Sequence, residues 1–322
     1  MNIELLTPAL GAEIDIDLSH LTTADAQSVY AALMRHKVVF FRDQKMTPEQ
    51  HIALAEHFGE IDIPHPVYQN HPDVPAITVL ENDANRPPDT NDWHKDLTFR
   101  ESPPFMSILY AKKVPETGGD TLWANMALAY DALAAPMRDM LDTLEAVHDI
   151  GCFRNDYLGP ESNIQAMNEG VHSNGAWVHP VIDTHPVTGA KYINVNRSFT
   201  QHIVGMLKAE SDRLLDYLYA HIDQPEHQVR FRWRDNSVAI WDNRVTQHYA
   251  LADYLPNYRC MNRVTVTSDR RVTANDSGAV SPLRALECED TNPRTFEASL
   301  QTQDGKGRAQ RSVSLRRRYC EE

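Results

Sequence analysis

Short runs of β-branched and aromatic residues recur through the first 274 residues of this chain without regular alternation with helical segments. That irregularity is the strongest constraint on the fold, because a doubly wound parallel sheet needs strand and helix in succession. Lys37-Val38-Val39-Phe40-Phe41 and Ala76-Ile77-Thr78-Val79-Leu80 are β-branched and apolar over most of their length, so each suits a buried strand. Further strands are predicted at Met106 to Val114, Trp177 to Ile182, Lys191 to Val195, Ser237 to Trp241 and Arg259 to Val266. Gln228 to Trp233 alternates strictly, as a half-buried strand should. Between these runs, Thr22 to Arg35 places Ala26, Val29, Tyr30 and Leu33 on one helical stripe, and Thr47-Pro48-Glu49-Gln50 opens a helix with an N-cap and Pro at its first position. Pro136 to Val147 and Glu210 to His221 predict two more helices. The expectation is a mainly β fold, a curled sandwich with helices on its flank. Gly118-Gly119 reads as a turn, and there is no internal repeat or phosphate-binding glycine loop.

At 322 residues the chain could hold two average domains, but charge and composition divide it differently. Forty-five acids against 31 bases give a net charge of −14. Asn275 to Glu322 contains 8 of each, so residues 1–274 carry the whole excess. Only 7 of those last 48 residues are Leu, Ile, Val or Phe, too few for a separate core. The expectation is one large domain, residues 1–274, and a tail, residues 275–322, either disordered or packed on a partner subunit of a homo-oligomer. The acidic excess argues against nucleic acid or an anionic membrane as partner, since both need a basic face. No apolar run approaches the roughly 18 residues of a spanning helix. The start lacks a signal-peptide pattern, and Cys152, Cys260, Cys288 and Cys320 form no C-x-x-C pair. A cytoplasmic enzyme is expected.

Fifteen histidines make chance motifs common. Histidine followed two residues later by an acid occurs three times, at His71, His94 and His221, where composition alone predicts about two. Context separates them. His71 sits before a proline in a polar turn, and His221 closes an amphipathic helix. Trp93-His94-Lys95-Asp96-Leu97-Thr98-Phe99 instead reads as extended, which puts His94 and Asp96 on one side roughly 6.5–7 Å apart, with Lys95 turned away. Two such side chains can share a metal ion. A third ligand from a distant strand would complete a two-histidine, one-carboxylate facial set.

These residues, with Gly118-Gly119-Asp120-Thr121-Leu122-Trp123 and Trp241-Asp242-Asn243-Arg244-Val245-Thr246-Gln247-His248, resemble the taurine/2-oxoglutarate dioxygenase family. The likeness runs from about residue 3 to about residue 270 and includes the spacing between the blocks. It implies a double-stranded β-helix, or jelly roll, and Fe(II) held by His94, Asp96 and His248. By the same resemblance, Thr121 and Arg259 bind the far carboxylate of 2-oxoglutarate, and Arg263 binds the head group of a small anionic substrate. Arg259 and Arg263 lie 11 and 15 residues after His248, an even separation that puts both on one face of the predicted strand. Their planar forks suit oxyanions.

His65, Tyr68 and Phe199 match further positions of the taurine pocket. Thr90 stands where the family carries Asn, and by direct count Phe153-Arg154 where it carries Ser-Phe, although a one-residue gap puts Phe153 at the aromatic position instead. The pocket wall is therefore not that of a standard taurine enzyme. The resemblance implies coupled conversion of 2-oxoglutarate and O2 to succinate and CO2 while a substrate C–H bond is hydroxylated. Related halogenases have a small residue in place of the carboxylate, so Asp96 favours oxygenation. The expected substrate is an alkyl- or aminosulfonate such as taurine, giving aldehyde and sulfite; the alternative is a carboxylate, an aryloxyalkanoate or amino acid. A non-catalytic jelly roll holding zinc would account for the triad, but gives no reason for Arg259 and Thr121.

Overall fold

Both N-terminal helices begin where a threonine is followed three residues later by a side chain able to return its hydrogen bond. The computed structural model describes residues 1–63, 68–88, 92–150 and 175–271. In it α1 (Thr23–His36) is capped reciprocally by Thr22 and Asp25, and α2 (Pro48–Glu56) by Thr47 and Gln50. The α1 stripe Ala26, Val29, Tyr30 and Leu33 is buried as predicted.

The main sheet contains β1 (Asn2–Leu5), β2 (Ala12–Asp15), β3 (Val38–Phe41), β4 (Gly59–Ile61), β5 (Thr78–Asn82), β6 (Met106–Lys113), β14 (Val238–Asp242) and β16 (Arg259–Asp269). Its order is β1-β2-β3-β14-β6-β16-β4, with β5 also paired to β16. Facing it is a smaller sheet, β13 (Gln228–Phe231), β7 (Thr121–Asn125) and β15 (Thr246–Ala250), in the order β13-β7-β15. Phe40, Leu109, Ala111, Trp241 and Met261 from the first sheet meet Trp123, Val229 and Phe231 from the second in one buried cluster. Phe40 stacks on Phe231 at 4.0 Å between ring centroids, and Trp123 meets Trp241 edge-on at 5.8 Å. Two curled, mostly antiparallel sheets closing on a shared aromatic core form the expected jelly roll.

A second core lies on the outer side of the small sheet. There α3 (Met126–Asp131) and α5 (Lys208–Ile222) pack Ala129, Tyr130, Leu215 and Leu218 against Ile193 and Ala146. Ile193 belongs to the hairpin of β10 (Ile182–Thr184) and β11 (Lys191–Ile193), and Ala146 to a sheet of β12 (Thr200–Ile203), β8 (Glu145–Asp149) and β9 (Ala176–Pro180).

Three predicted elements need correction. The helix expected over Pro136 to Val147 is α4 (Ala135–Leu141) only. After a turn the chain becomes β8, because Ala146 and His148 pair across to β9 and β12. The single strand expected over Trp177 to Ile182 divides at Val181 into β9 and β10, which join different sheets. The run at Ala76 becomes β5 two residues later, at Thr78. Residues 275–322 lie outside the described residues. Among the described residues no helix is long and apolar enough to cross a membrane.

Candidate active site

Strand pairing brings the two histidines together. His94 and His248 form an antiparallel bridge: His94 N–H donates to His248 O at 3.0 Å, and His248 N–H donates to His94 O at 2.8 Å. Their side chains therefore leave the backbone side by side, with ring centroids 4.1 Å apart. The carboxylate arrives by a turn. Leu97, just after Asp96, has a left-handed φ of 55°, unusual for a branched residue, so the extended reading of Trp93 to Phe99 holds only as far as Lys95. Lys95 does point away, but into the protein. It donates to Asn194 and lies 4.9 Å from the centre of the Tyr192 ring, and burial pulls its pKa down to about 8.

His94, Asp96 and His248 are buried, and one ligand atom from each lies within 4.8 Å of the others. Asp96 Oδ1 is 3.8 Å from His94 Nε2 and 3.9 Å from His248 Nε2. These gaps are too long for hydrogen bonds and suit ligands reaching about 2 Å each to a shared ion. His94 Nδ1 lies 3.0 Å from the Asp92 carbonyl, which only accepts, so that nitrogen carries the proton and Nε2 presents its lone pair. Burial, then the neighbouring His94, pushes the His248 pKa down to about 3, which keeps the ring neutral as a ligand must be. Burial opposes ionisation of Asp96, but Arg263, His248 and His94 outweigh it, and the carboxyl is held well below the usual carboxylate range. The donor set fits Fe(II) with open positions.

The two arginines share the inward face of β16, separated by Met261 of the aromatic core. Arg259 is buried, and its Nε and Nη2 have no hydrogen-bond partner among the described residues. Burial pushes its pKa down, offset only in part by Tyr254, Cys260 and Asp120. Gly119 gives it room, since a Cβ there would lie 3.4 Å from Arg259 Nε, and φ is +70°. Thr121, two residues on, is buried and accepts a 2.9 Å hydrogen bond from Trp233 Nε1. A buried guanidinium with no carboxylate bonded to it among the described residues suits the far end of a dicarboxylate such as 2-oxoglutarate. Arg263 Nη1 lies 3.4 Å from Asp96 Oδ1, and its guanidinium is 5.9 Å from the centre of the Tyr68 ring. Phe199 is buried edge-on against Phe99 at 5.2 Å, three residues beyond Asp96. Tyr68, Arg263 and the triad are thus brought together, and Phe199 is tied to them through Phe99. His65, Thr90, Phe153 and Arg154 lie outside the described residues.

Two contacts of Asp96 were not singled out in sequence. Ser107 Oγ donates to Asp96 Oδ2 at 3.0 Å. Asn243 Oδ1 accepts from Asp96 N–H at 2.9 Å while its Nδ2 donates to the Asp96 and Pro104 carbonyls at 3.0 and 2.9 Å. Asn243 falls inside a motif whose neighbours drew attention. Ser107 had no signal beyond being polar on an apolar strand.

Residues 2–265 match the family model described as taurine catabolism dioxygenase TauD, TfdA family. An alkylsulfatase of Acinetobacter baylyi is 36% identical over 282 residues, covering 84% of this chain and 86% of that protein. An alpha-ketoglutarate-dependent sulfate ester dioxygenase of Pseudomonas putida is also 36% identical, covering 84% and 90%. The crystal structure of a taurine dioxygenase from Burkholderia xenovorans superposes with a TM-score of 0.71 at 36% identity, covering 83% of this chain and 89% of that one.

Proposed function

The chain belongs to the taurine catabolism dioxygenase TauD, TfdA family, and is an Fe(II)- and 2-oxoglutarate-dependent dioxygenase using O2; from that premise we propose that it oxidises a small organic sulfonate at the carbon bearing sulfur. The observation carrying this reading is the pair of buried arginines on one face of β16, with Arg263 3.4 Å from Asp96. Arg259 and Thr121 anchor the far carboxylate of 2-oxoglutarate, and Gly119, two residues before Thr121, lies against the Arg259 side chain. Arg263 and Tyr68 receive the anionic head of the substrate, and Phe199 closes the apolar side. His94, Asp96 and His248 hold the iron. Bound there, Fe(II) with 2-oxoglutarate and O2 supplies one oxygen atom to succinate and one to a substrate C–H bond, with CO2 released.

The protein's own part is binding, orientation and exclusion of water. Arg263 sets which carbon faces the metal, because the head group is fixed and only the adjoining C–H bond lies within reach. Hydroxylation beside sulfur gives an unstable alcohol that breaks its C–S bond, leaving aldehyde and sulfite.

A second reading, an alkyl sulfate ester as substrate, is favoured by the two relatives named for sulfate esters. Hydroxylation of the carbon bearing the ester oxygen would then release aldehyde and sulfate. A panel of alkylsulfonates, taurine, alkyl sulfates and aryloxyalkanoates separates the possibilities. Sulfite equimolar with succinate is expected for at least one sulfonate. Sulfate without sulfite would select the second reading, and succinate formed only with carboxylates would overturn both.

A further inference from the structure

Asp96 is held from two directions by groups that no part of the reaction consumes. Its Oδ2 accepts from Ser107, which is fully buried on β6 between Trp241 of β14 and Thr265 of β16. Its Oδ1 faces both histidine Nε2 atoms and takes a longer contact from Arg263 Nη1, 3.4 Å against the 3.0 Å of Ser107 on Oδ2. Asn243, also fully buried, grips the Asp96 peptide through N–H and C=O and ties it to Pro104, next to the left-handed Leu97. We propose that Ser107 is a positioning residue that selects Oδ1 as the single coordinating oxygen of Asp96, with Asn243 fixing the backbone from which that carboxylate projects.

The physical reason is occupancy. A carboxylate can offer a metal one oxygen or two, and a hydrogen-bonded Oδ2 in a dry site has a partner it would lose by turning inward. Held to one oxygen, Asp96 would leave a bound metal open to the keto-acid end of 2-oxoglutarate and to O2. If Oδ2 were released, it would compete with them for the metal. The inference rests on the assignment of His94, Asp96 and His248 as metal ligands, so its test must separate the two claims.

The experiment measures anaerobic Mn(II) and Co(II) binding by the full chain, and 2-oxoglutarate binding by its Mn(II)-loaded form, for wild type and Ser107→Ala, Ser107→Thr and Asp96→Ala, with thermal melts to verify folding. Asp96→Ala should abolish metal binding; unchanged affinity there would defeat the ligand assignment itself. Ser107→Ala should still bind Mn(II), but the Mn(II)-loaded variant should bind 2-oxoglutarate at least about 10-fold more weakly, because the released Oδ2 competes for a metal position. Its Co(II) visible spectrum should change intensity as the coordination number changes, and Ser107→Thr should restore both. With Asp96→Ala inactive in metal binding, an unaltered 2-oxoglutarate affinity and spectrum in Ser107→Ala would overturn the proposal. A crystal structure of the Mn(II)-loaded wild type tests it without any variant. One Asp96 oxygen on the metal with the other on Ser107 supports it, and both oxygens on the metal contradict it.

Discussion

Arg259 and Arg263 are the same residue type on the same strand face, yet their surroundings give them different work. Arg263 has a carboxylate 3.4 Å away and an aromatic ring below it, whereas Arg259 has two buried nitrogens without a partner among the described residues. Arg263→Ala should therefore raise the KM for the sulfonate about 100-fold while leaving 2-oxoglutarate binding close to normal, as expected for losing charged hydrogen bonds of about 3 kcal/mol. Steady-state kinetics with each substrate varied in turn checks this. The triad was legible because His94 and Asp96 fall within a motif of fixed spacing to His248. Ser107 was not, since a serine inside a strand reads the same whether its hydroxyl meets a ligand, a backbone carbonyl or nothing.

At the scale of elements, the turn carrying Asn243 is secured by buried charge. Arg244 donates to both oxygens of Asp242, at 2.9 and 2.6 Å, and reaches Asp269 on β16 at 3.1 Å. Tyr30 of α1 donates to the same Asp269 oxygen at 2.7 Å, and His185 meets Asp242 from the β10–β11 hairpin. Arg244→Met should leave two buried carboxylates undercompensated and destabilise the fold by about 3–5 kcal/mol, measurable by urea unfolding at neutral pH. β3, β6 and β14, mostly apolar, and β16, through its β-branched Val264-Thr265-Val266, were legible from pattern alone. The strands bearing Thr121 and His248 were not, because β7 and β15 carry polar residues among the apolar ones. The misread helix has the same physical cause: Met137, Met140, Leu144 and Val147 fit a helical period, and only pairing with β9 and β12 makes Glu145 to Asp149 a strand.

The whole molecule carries a charge of −14, whereas the proposed function has two anions enter its interior. Long-range steering opposes both, so kcat/KM for sulfonate should rise between roughly 10 and 150 mM salt as the field is screened. A fall over that range would mean that the positive interior dominates encounter. Stability should also depend on pH through the buried His51 of α2. Burial pushes the His51 pKa down to about 4, so below about 6.5 the unfolded chain binds a proton that the folded chain does not. Stability from His51 is thus complete above about 6.5 and is lost progressively as pH falls toward 4, at up to about 1.4 kcal/mol per pH unit. Urea titrations at several pH values should show a slope smaller by about one proton in His51→Leu.

The proposed function requires the buried His94, Asp96 and His248 to hold Fe(II) where 2-oxoglutarate anchored by Arg259 can chelate it. Anaerobic addition of Fe(II) and 2-oxoglutarate reads this directly, through the visible charge-transfer absorption of the chelate. The wild type should develop the band, His248→Ala should not, and Arg259→Ala should need far more 2-oxoglutarate to reach it. No band in the folded wild type, or an undiminished band in His248→Ala, would contradict the account.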